Sequence, residues 1–166
     1  TNDMTETEIV NLSLSKLGAN LIIRLGDASL PGSHHGDLLY KPTLERILRD
    51  FPWACATKEK ALAQETAPAI SNYLYSFALP ADFVRLGELP EDGFYLRNED
   101  FCRTGRMLHT NKTPAVLRYV SNAITPDEFD ADFREAFVVL LASELATPLL
   151  QSPQLAQALM EEYLSV

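Results

Sequence analysis

Cysteine is scarce in this chain, with two in 166 residues. Cys55 and Cys102 form no CxxC spacing, which points to a reducing place of assembly and away from a disulfide framework. No apolar run approaches the roughly 20 residues that a spanning helix needs. The start Thr1-Asn2-Asp3-Met4-Thr5 has neither a basic nor an apolar signal segment, so the expectation is a chain neither secreted nor inserted in a membrane. There is no Walker sequence, no GxGxxG and no GxSxG, which leaves nucleotide cofactors and hydrolase elbows without support. Positive charge is also short, 14 Lys and Arg against 23 Asp and Glu, for a net charge of −9. A nucleic-acid clamp needs clustered cations, so that class is disfavoured. Acidity of this kind ordinarily keeps a protein solvated. It would equally suit a wall past which a DNA duplex slides, and charge alone does not separate the two.

Apolar residues make up 46% of the chain and charged residues 22%, the balance of an ordinary globular protein. The length suits one domain burying roughly two thirds of its unfolded surface. Thr5 with Glu8 forms a capping-box pattern, followed by Ile9, Val10, Leu12, Leu14 and Leu17 at helical spacing and then Gly18, so a first helix is expected from about Glu6 to Leu17. Ala19 to His35 reads as a long connection of exposed or functional character, interrupted by the apolar run Leu21 to Leu25. A second helix is expected from about Gly36 to Asp50, with Leu38, Leu39, Leu44, Ile47, Leu48 and Phe51 on its apolar side. Pro42 should kink that helix or make it begin afresh near Thr43. Thr57 to Glu65 fits a short helix and an irregular exposed segment equally well.

In the middle of the chain the period changes to two. Tyr73, Tyr75, Phe77 and Leu79 alternate with Leu74, Ser76 and Ala78, which predicts a strand ending at Pro80. Phe83 to Leu86, Phe94 to Arg97, Arg106 to His109 and Ala115 to Val120 are further strand candidates. Turns at Pro90-Glu91-Asp92-Gly93, Thr104-Gly105 and Asn111-Lys112-Thr113-Pro114 separate them, as in a small antiparallel sheet. Helix then returns after Thr125-Pro126-Asp127-Glu128. Phe129, Phe133, Phe137, Leu140, Leu141, Leu145 and Leu149 mark one long apolar stripe, with Ala136, Ala142 and Ala146 allowing close approach, which predicts a central helix bent or ended by Pro148. Ser152-Pro153 should start a last helix carrying Leu155, Leu159 and Leu164. The fold class is therefore α+β, mainly α. The expectation is a single domain over 1–166, a helical bundle from about 5–60 and 125–166 with a small antiparallel β-sheet inserted at about 73–120.

The search for chemistry assigns no catalytic, cofactor-binding or metal-ligating residue. His34-His35-Gly36-Asp37 carries ligand types, but adjacent histidines rarely converge on one ion. Cys55 sits in an apolar run beside Trp53 and Ala56, where a thiol is usually buried and inert. Asp127/Glu128, Asp130/Asp132 and Glu161/Glu162 are carboxylate pairs that helix starts and solvated helix ends already explain. Trp53, Tyr73 and Tyr75 could stack on bases, yet they lack interleaved Lys and Arg and suit a core or subunit contact better. The chain is not expected to be an enzyme and no cofactor is expected.

Several blocks do carry a likeness. They are Glu8 to Gly18, Tyr40-Lys41-Pro42, Glu45 to Leu48, Phe51-Pro52-Trp53, the aromatic strand Tyr73 to Asp82 closed by Leu79-Pro80-Ala81-Asp82, and Arg118-Tyr119-Val120. Phe129 to Ala136, Leu141 to Leu149 and Tyr163 complete them. In this order they resemble the head-to-tail adaptor, or tail tubular protein A, family of tailed phages. Cys55 departs from that pattern, standing where the family usually has a large aromatic. The resemblance implies a structural virion protein, assembled in the host bacterial cytoplasm. It would form a ring of identical subunits, twelve in the virion, below the portal ring and above the tail nozzle or a stopper protein, with DNA passing through unbound. The loop Ala19 to His35 and the sheet from Tyr73 to Val120 would supply contacts. Two alternatives stay open: a head-completion or stopper protein of a long-tailed phage, and a virion-associated cell-wall hydrolase.

Overall fold

The computed structural model describes residues 4–65, 73–91 and 93–165. The polar start at 1–3 and Asp92 of the expected turn lie outside them. The protein is α+β, with four helices and two small three-stranded antiparallel sheets in the middle of the chain. It divides into two compact units, a helical one formed by Thr1–Asp50 and Ile124–Val166 and a β-rich one formed by Phe51–Ala123. The helical part therefore stops at Asp50, short of the expected position near 60.

In the helical unit, α1 spans Glu6–Leu17 as its capping box predicts: Glu8 N–H donates to Thr5 Oγ1 and Thr5 N–H to Glu8 Oε2. Gly18 ends it at φ 67°, where a side chain would be strained. Helix α2 spans Pro31–Asp50, so it begins five residues before the expected Gly36, with Pro31 at the first helical position where its missing N–H costs nothing. It also runs through Pro42 without restarting at Thr43. Pro42 deprives the carbonyl of Leu38 of its helical donor, and Leu38 is exposed, so water can take that role. Its buried face is Ser33, Gly36, Tyr40, Thr43, Leu44, Ile47 and Leu48. Leu38 and Phe51, expected on the apolar side, are exposed.

Helix α3 spans Ala131–Leu150 and packs against α1, α2 and α4, the last spanning Pro153–Leu164. Its cap is Asp130, which accepts from Phe133 N–H at 2.8 Å. The earlier signal at Thr125 instead starts a separate short 3-10 turn, Pro126–Glu128. Burial of α3 is not confined to a stripe, for every residue from Ala136 to Ser143 is buried. Over these turns, packed against three other helices, α3 has no solvent face to make polar. Phe133 and Phe137 stack along it, with Phe129, just before the helix, edge-on to both and Tyr40 of α2 edge-on to Phe137 at 5.2 Å. Ser13 of α1 donates its hydroxyl to the Val138 carbonyl at 2.9 Å. Pro148 lies inside the last turn, and Gln151 then takes a left-handed conformation at φ 51°.

In the β-rich unit one sheet has the order β1-β6-β3, from Thr57–Ala61, Val116–Ser121 and Phe83–Leu86. The other has the order β2-β5-β4, from Tyr75–Ala78, Met107–Thr110 and Phe101–Thr104. There are thus two sheets where one was expected. Their inner faces share one core of Phe77, Leu79, Leu96, Leu108, Ala115, Leu117 and Tyr119. Thr57–Ala61 settles the open helix-or-irregular choice as an edge strand, almost wholly exposed and charged, which discourages pairing with other chains. It is held by Arg118 Nη1 on Glu59 Oε1 at 2.5 Å, directly across the ladder. Phe94 to Arg97 is not a strand. Leu96 N–H donates to Val116 O at 2.9 Å and Arg97 N–H to Asp100 Oδ2 at 2.9 Å, while the Phe94 side chain is largely exposed. Strand β4 carries no clear alternation in Phe101-Cys102-Arg103-Thr104 and is formed by the two-residue turn at Gly105, φ 58°.

Candidate functional site

The residues with chemical potential are dispersed. His34 and His35 follow one another on the first turns of α2, rings 5.2 Å apart, and among the described residues no group of three or more His, Cys, Asp or Glu could hold a metal ion. Cys55 is half-buried in the 3-10 turn Ala54–Ala56, and Phe51 lies edge-on to Trp53 at 5.1 Å. Tyr75 packs against the β core. The carboxylates Glu128 and Asp130 act as caps, accepting from Thr125 N–H at 3.3 Å and Phe133 N–H at 2.8 Å. Asp132, Glu161 and Glu162 are exposed.

Two polar clusters escaped the sequence because they need strand pairing. Ser76 and His109 sit opposite one another on β2 and β5. Ser76 Oγ lies 2.8 Å from His109 Nδ1, and Thr104 Oγ1 lies 2.7 Å from Nε2. This is a Ser-His contact, but both residues are buried and both ring nitrogens are engaged by hydroxyls, so the cluster clasps three strands together. Asp82, at the end of the Leu79-Pro80-Ala81-Asp82 block, accepts from Ser121 Oγ at 2.5 Å and Tyr119 OH at 3.0 Å, with Lys58 Nζ at 3.7 Å. Burial opposes its charge, but the Ser121 and Tyr119 hydroxyls, its own backbone and Lys58 outweigh that and hold the carboxyl below its ordinary value of 3.8. Burial and the bond to Asp82 push the Tyr119 phenol up to about 12.

What stands out on the helical unit is an apolar surface on a pinned loop, residues 19–30. The Asn11 side chain clasps Ile22 at both backbone groups, accepting from its N–H at 2.8 Å and donating to its C=O at 2.9 Å. Ser33 Oγ accepts from Asp27 N–H at 2.9 Å and donates to Arg24 O at 2.6 Å. These bonds turn Ile22 into the core and its neighbours out: Leu21 is 63% and Ile23 96% exposed. Beside them lies a groove of about 330 Å³ lined by residues 18–22, 30–32 and 149–150, with Leu30 and Leu150 also exposed. Apolar side chains turned outward on a loop held by side-chain-to-backbone bonds suit protein contact more than catalysis. Apolarity at Leu21 to Leu25 was visible in the sequence; which of its side chains face outward was not.

Charge is segregated between the units. Phe51–Ala123 contains eight Lys and Arg and eight Asp and Glu, whereas the helical unit has six against fifteen and so holds the whole net −9. Among the described residues no helix is long and apolar enough to cross a membrane. Compared with known proteins, the chain matches no protein-family model, and no curated protein is significantly similar to it.

Proposed function

We propose that this protein is a head-to-tail adaptor of a tailed phage, a structural subunit of a ring that joins the portal to the tail. The observation that carries the reading is the pinned loop 19–30, which turns Leu21 and Ile23 outward beside an apolar groove. A ring subunit needs a rigid, water-excluding surface of this kind for its neighbour. The resemblance of the blocks Glu8 to Gly18, Phe51-Pro52-Trp53, Tyr73 to Asp82 and Phe129 to Ala136 supports the same reading. So does the acidity of the helical unit, since a surface rich in carboxylates repels the phosphates of DNA moving past it.

The test is native mass spectrometry of the chain alone and after mixing with the portal ring encoded in the same genome. An adaptor gives a portal-bound ring whose subunit number matches that of the portal. A chain that stays monomeric and fails to bind the portal would overturn the proposal.

A further inference from the structure

We infer that the tip of the β4–β5 hairpin, through Arg103 and Arg106, docks on the carboxylate-rich helical unit of a second copy of this chain. The inference rests on the ring reading above and gives neighbouring subunits a charge-matched contact. Residues 101–126 contain four Lys and Arg, namely Arg103, Arg106, Lys112 and Arg118, and no Asp or Glu. Lys112 lies 3.9 Å from Asp100 and Arg118 2.5 Å from Glu59. Arg103 and Arg106 are both exposed, and among the described residues neither is ion-paired.

The fold holds these two guanidinium groups in place. Gly105, at φ 58°, makes the two-residue turn between the strands, and Leu79 N–H fastens the tip by donating to Arg106 O at 2.9 Å. Arg103 Nε donates to Gly105 O at 2.9 Å, and its guanidinium lies 5.4 Å from the centre of the Phe83 ring. Arg106 Nη2 donates to Pro80 O at 2.5 Å, the carbonyl that also accepts from Phe83 N–H. Both cations are thus gathered on the turn Pro80-Ala81-Asp82-Phe83. The carboxylate in that turn, Asp82, is already engaged by Ser121, Tyr119 and Lys58. A guanidinium keeps donors to spare after one bond to a carbonyl, and its planar fork matches a carboxylate. Side chains fixed in this way lose less entropy when a partner binds them.

Charge selects the partner. The β-rich unit is neutral and the helical unit holds the whole net −9. Between two copies, helical unit against helical unit repels and tip against tip repels, whereas tip against helical unit attracts. Such a contact joins two different surfaces, so it can repeat from copy to copy until it closes a ring. A nucleic acid would need a longer row of cations than this pair and would meet a chain whose net charge repels it.

The test uses the whole chain and double variants in which Arg103 and Arg106 are both changed to Lys or both to Glu, with thermal melts by circular dichroism to verify that each folds. In sedimentation velocity over a concentration series, the wild type should associate, the Lys pair should keep most of that association and the Glu pair should weaken it at least about tenfold. The gap between the variants should shrink as salt is raised. The Lys pair also offers amines for zero-length carbodiimide coupling. In a mixture of isotope-labelled and unlabelled copies, coupling from these lysines should reach carboxylates within 1–50 or 124–166 of the other copy. Wild type that stays monomeric, a Glu pair that assembles like wild type, a Lys pair that fails as badly as the Glu pair, coupling confined to one copy, or duplex DNA held through these arginines would each overturn the contact. A portal-bound ring that tolerates the Glu pair would remove this contact and leave the adaptor reading standing; wild type that forms no ring on the portal would remove that reading too.

Discussion

Replacing Asp82 with alanine should cost the β-rich unit more than any other single polar change, and the size can be worked from its contacts. The carboxylate accepts hydroxyls from Ser121 at 2.5 Å and Tyr119 at 3.0 Å, and both donors are buried residues that would lose their partner. Hydrogen bonds to a charged group contribute about 1.5–3 kcal/mol each. The half-exposed Lys58, at 3.7 Å, adds less than about 1 kcal/mol. Because the Asp82 side chain is 23% exposed, water replaces part of what is removed. The expected loss is about 2–4 kcal/mol, a fall in Tm of roughly 6–12 °C for a chain of this length. Asp82→Asn keeps an acceptor and drops the charge, so it should fall between wild type and Asp82→Ala. The pH dependence has a definite sign. A carboxyl held below 3.8 in the folded state adds stability that is fully present above that unfolded value and is lost as pH falls through the lowered folded one. Urea unfolding at pH 7 and through the acid range would measure both effects. A loss under about 0.5 kcal/mol for Asp82→Ala, or an acid profile of Asp82→Asn that parallels wild type, would refute the reasoning.

Other outcomes follow from the helical unit. A Cβ on Gly36 would sit 2.7 Å from Val10 Cγ1, a stiff and fully buried group; overpacking of about 1–3 kcal/mol outweighs a helix-propensity gain near 1 kcal/mol, so Gly36→Ala should lower Tm, and a rise would contradict this packing. The buried Tyr40 hydroxyl finds no hydrogen-bond partner among the described residues, so Tyr40→Phe should be neutral or stabilising by up to about 1 kcal/mol; a clear loss in chemical denaturation would mean the hydroxyl is satisfied. Phe137, fully buried between Phe129, Phe133 and Tyr40, should cost about 3–5 kcal/mol as Phe137→Ala, read from the same denaturation curves.

The sequence by itself determined the elements whose signals are local. The Thr5/Glu8 box and Gly18 set α1, Ser152-Pro153 set the start of α4, and alternation through Phe77 and Leu79 marked the strand, because caps and periodicity act over a few residues. Its failures fall where distant partners decide. Pro42 was read as a break, yet packing carries α2 through it once Leu38 O can face water. Thr57–Ala61 has no strand pattern of its own and becomes a strand because β6 offers a ladder and Arg118 meets Glu59. The stripe on α3 widened to burial on every side from Ala136 to Ser143, since three neighbours pack around those turns. The surface proposed for assembly divides in the same way. An apolar run at Leu21 to Leu25 was legible, but only the clasp of Asn11 on Ile22, eleven residues apart, decides that Ile22 turns inward while Leu21 and Ile23 face out. Hydrophobicity is written residue by residue, whereas the direction a side chain takes is fixed by hydrogen bonds and packing that exist only in the folded chain.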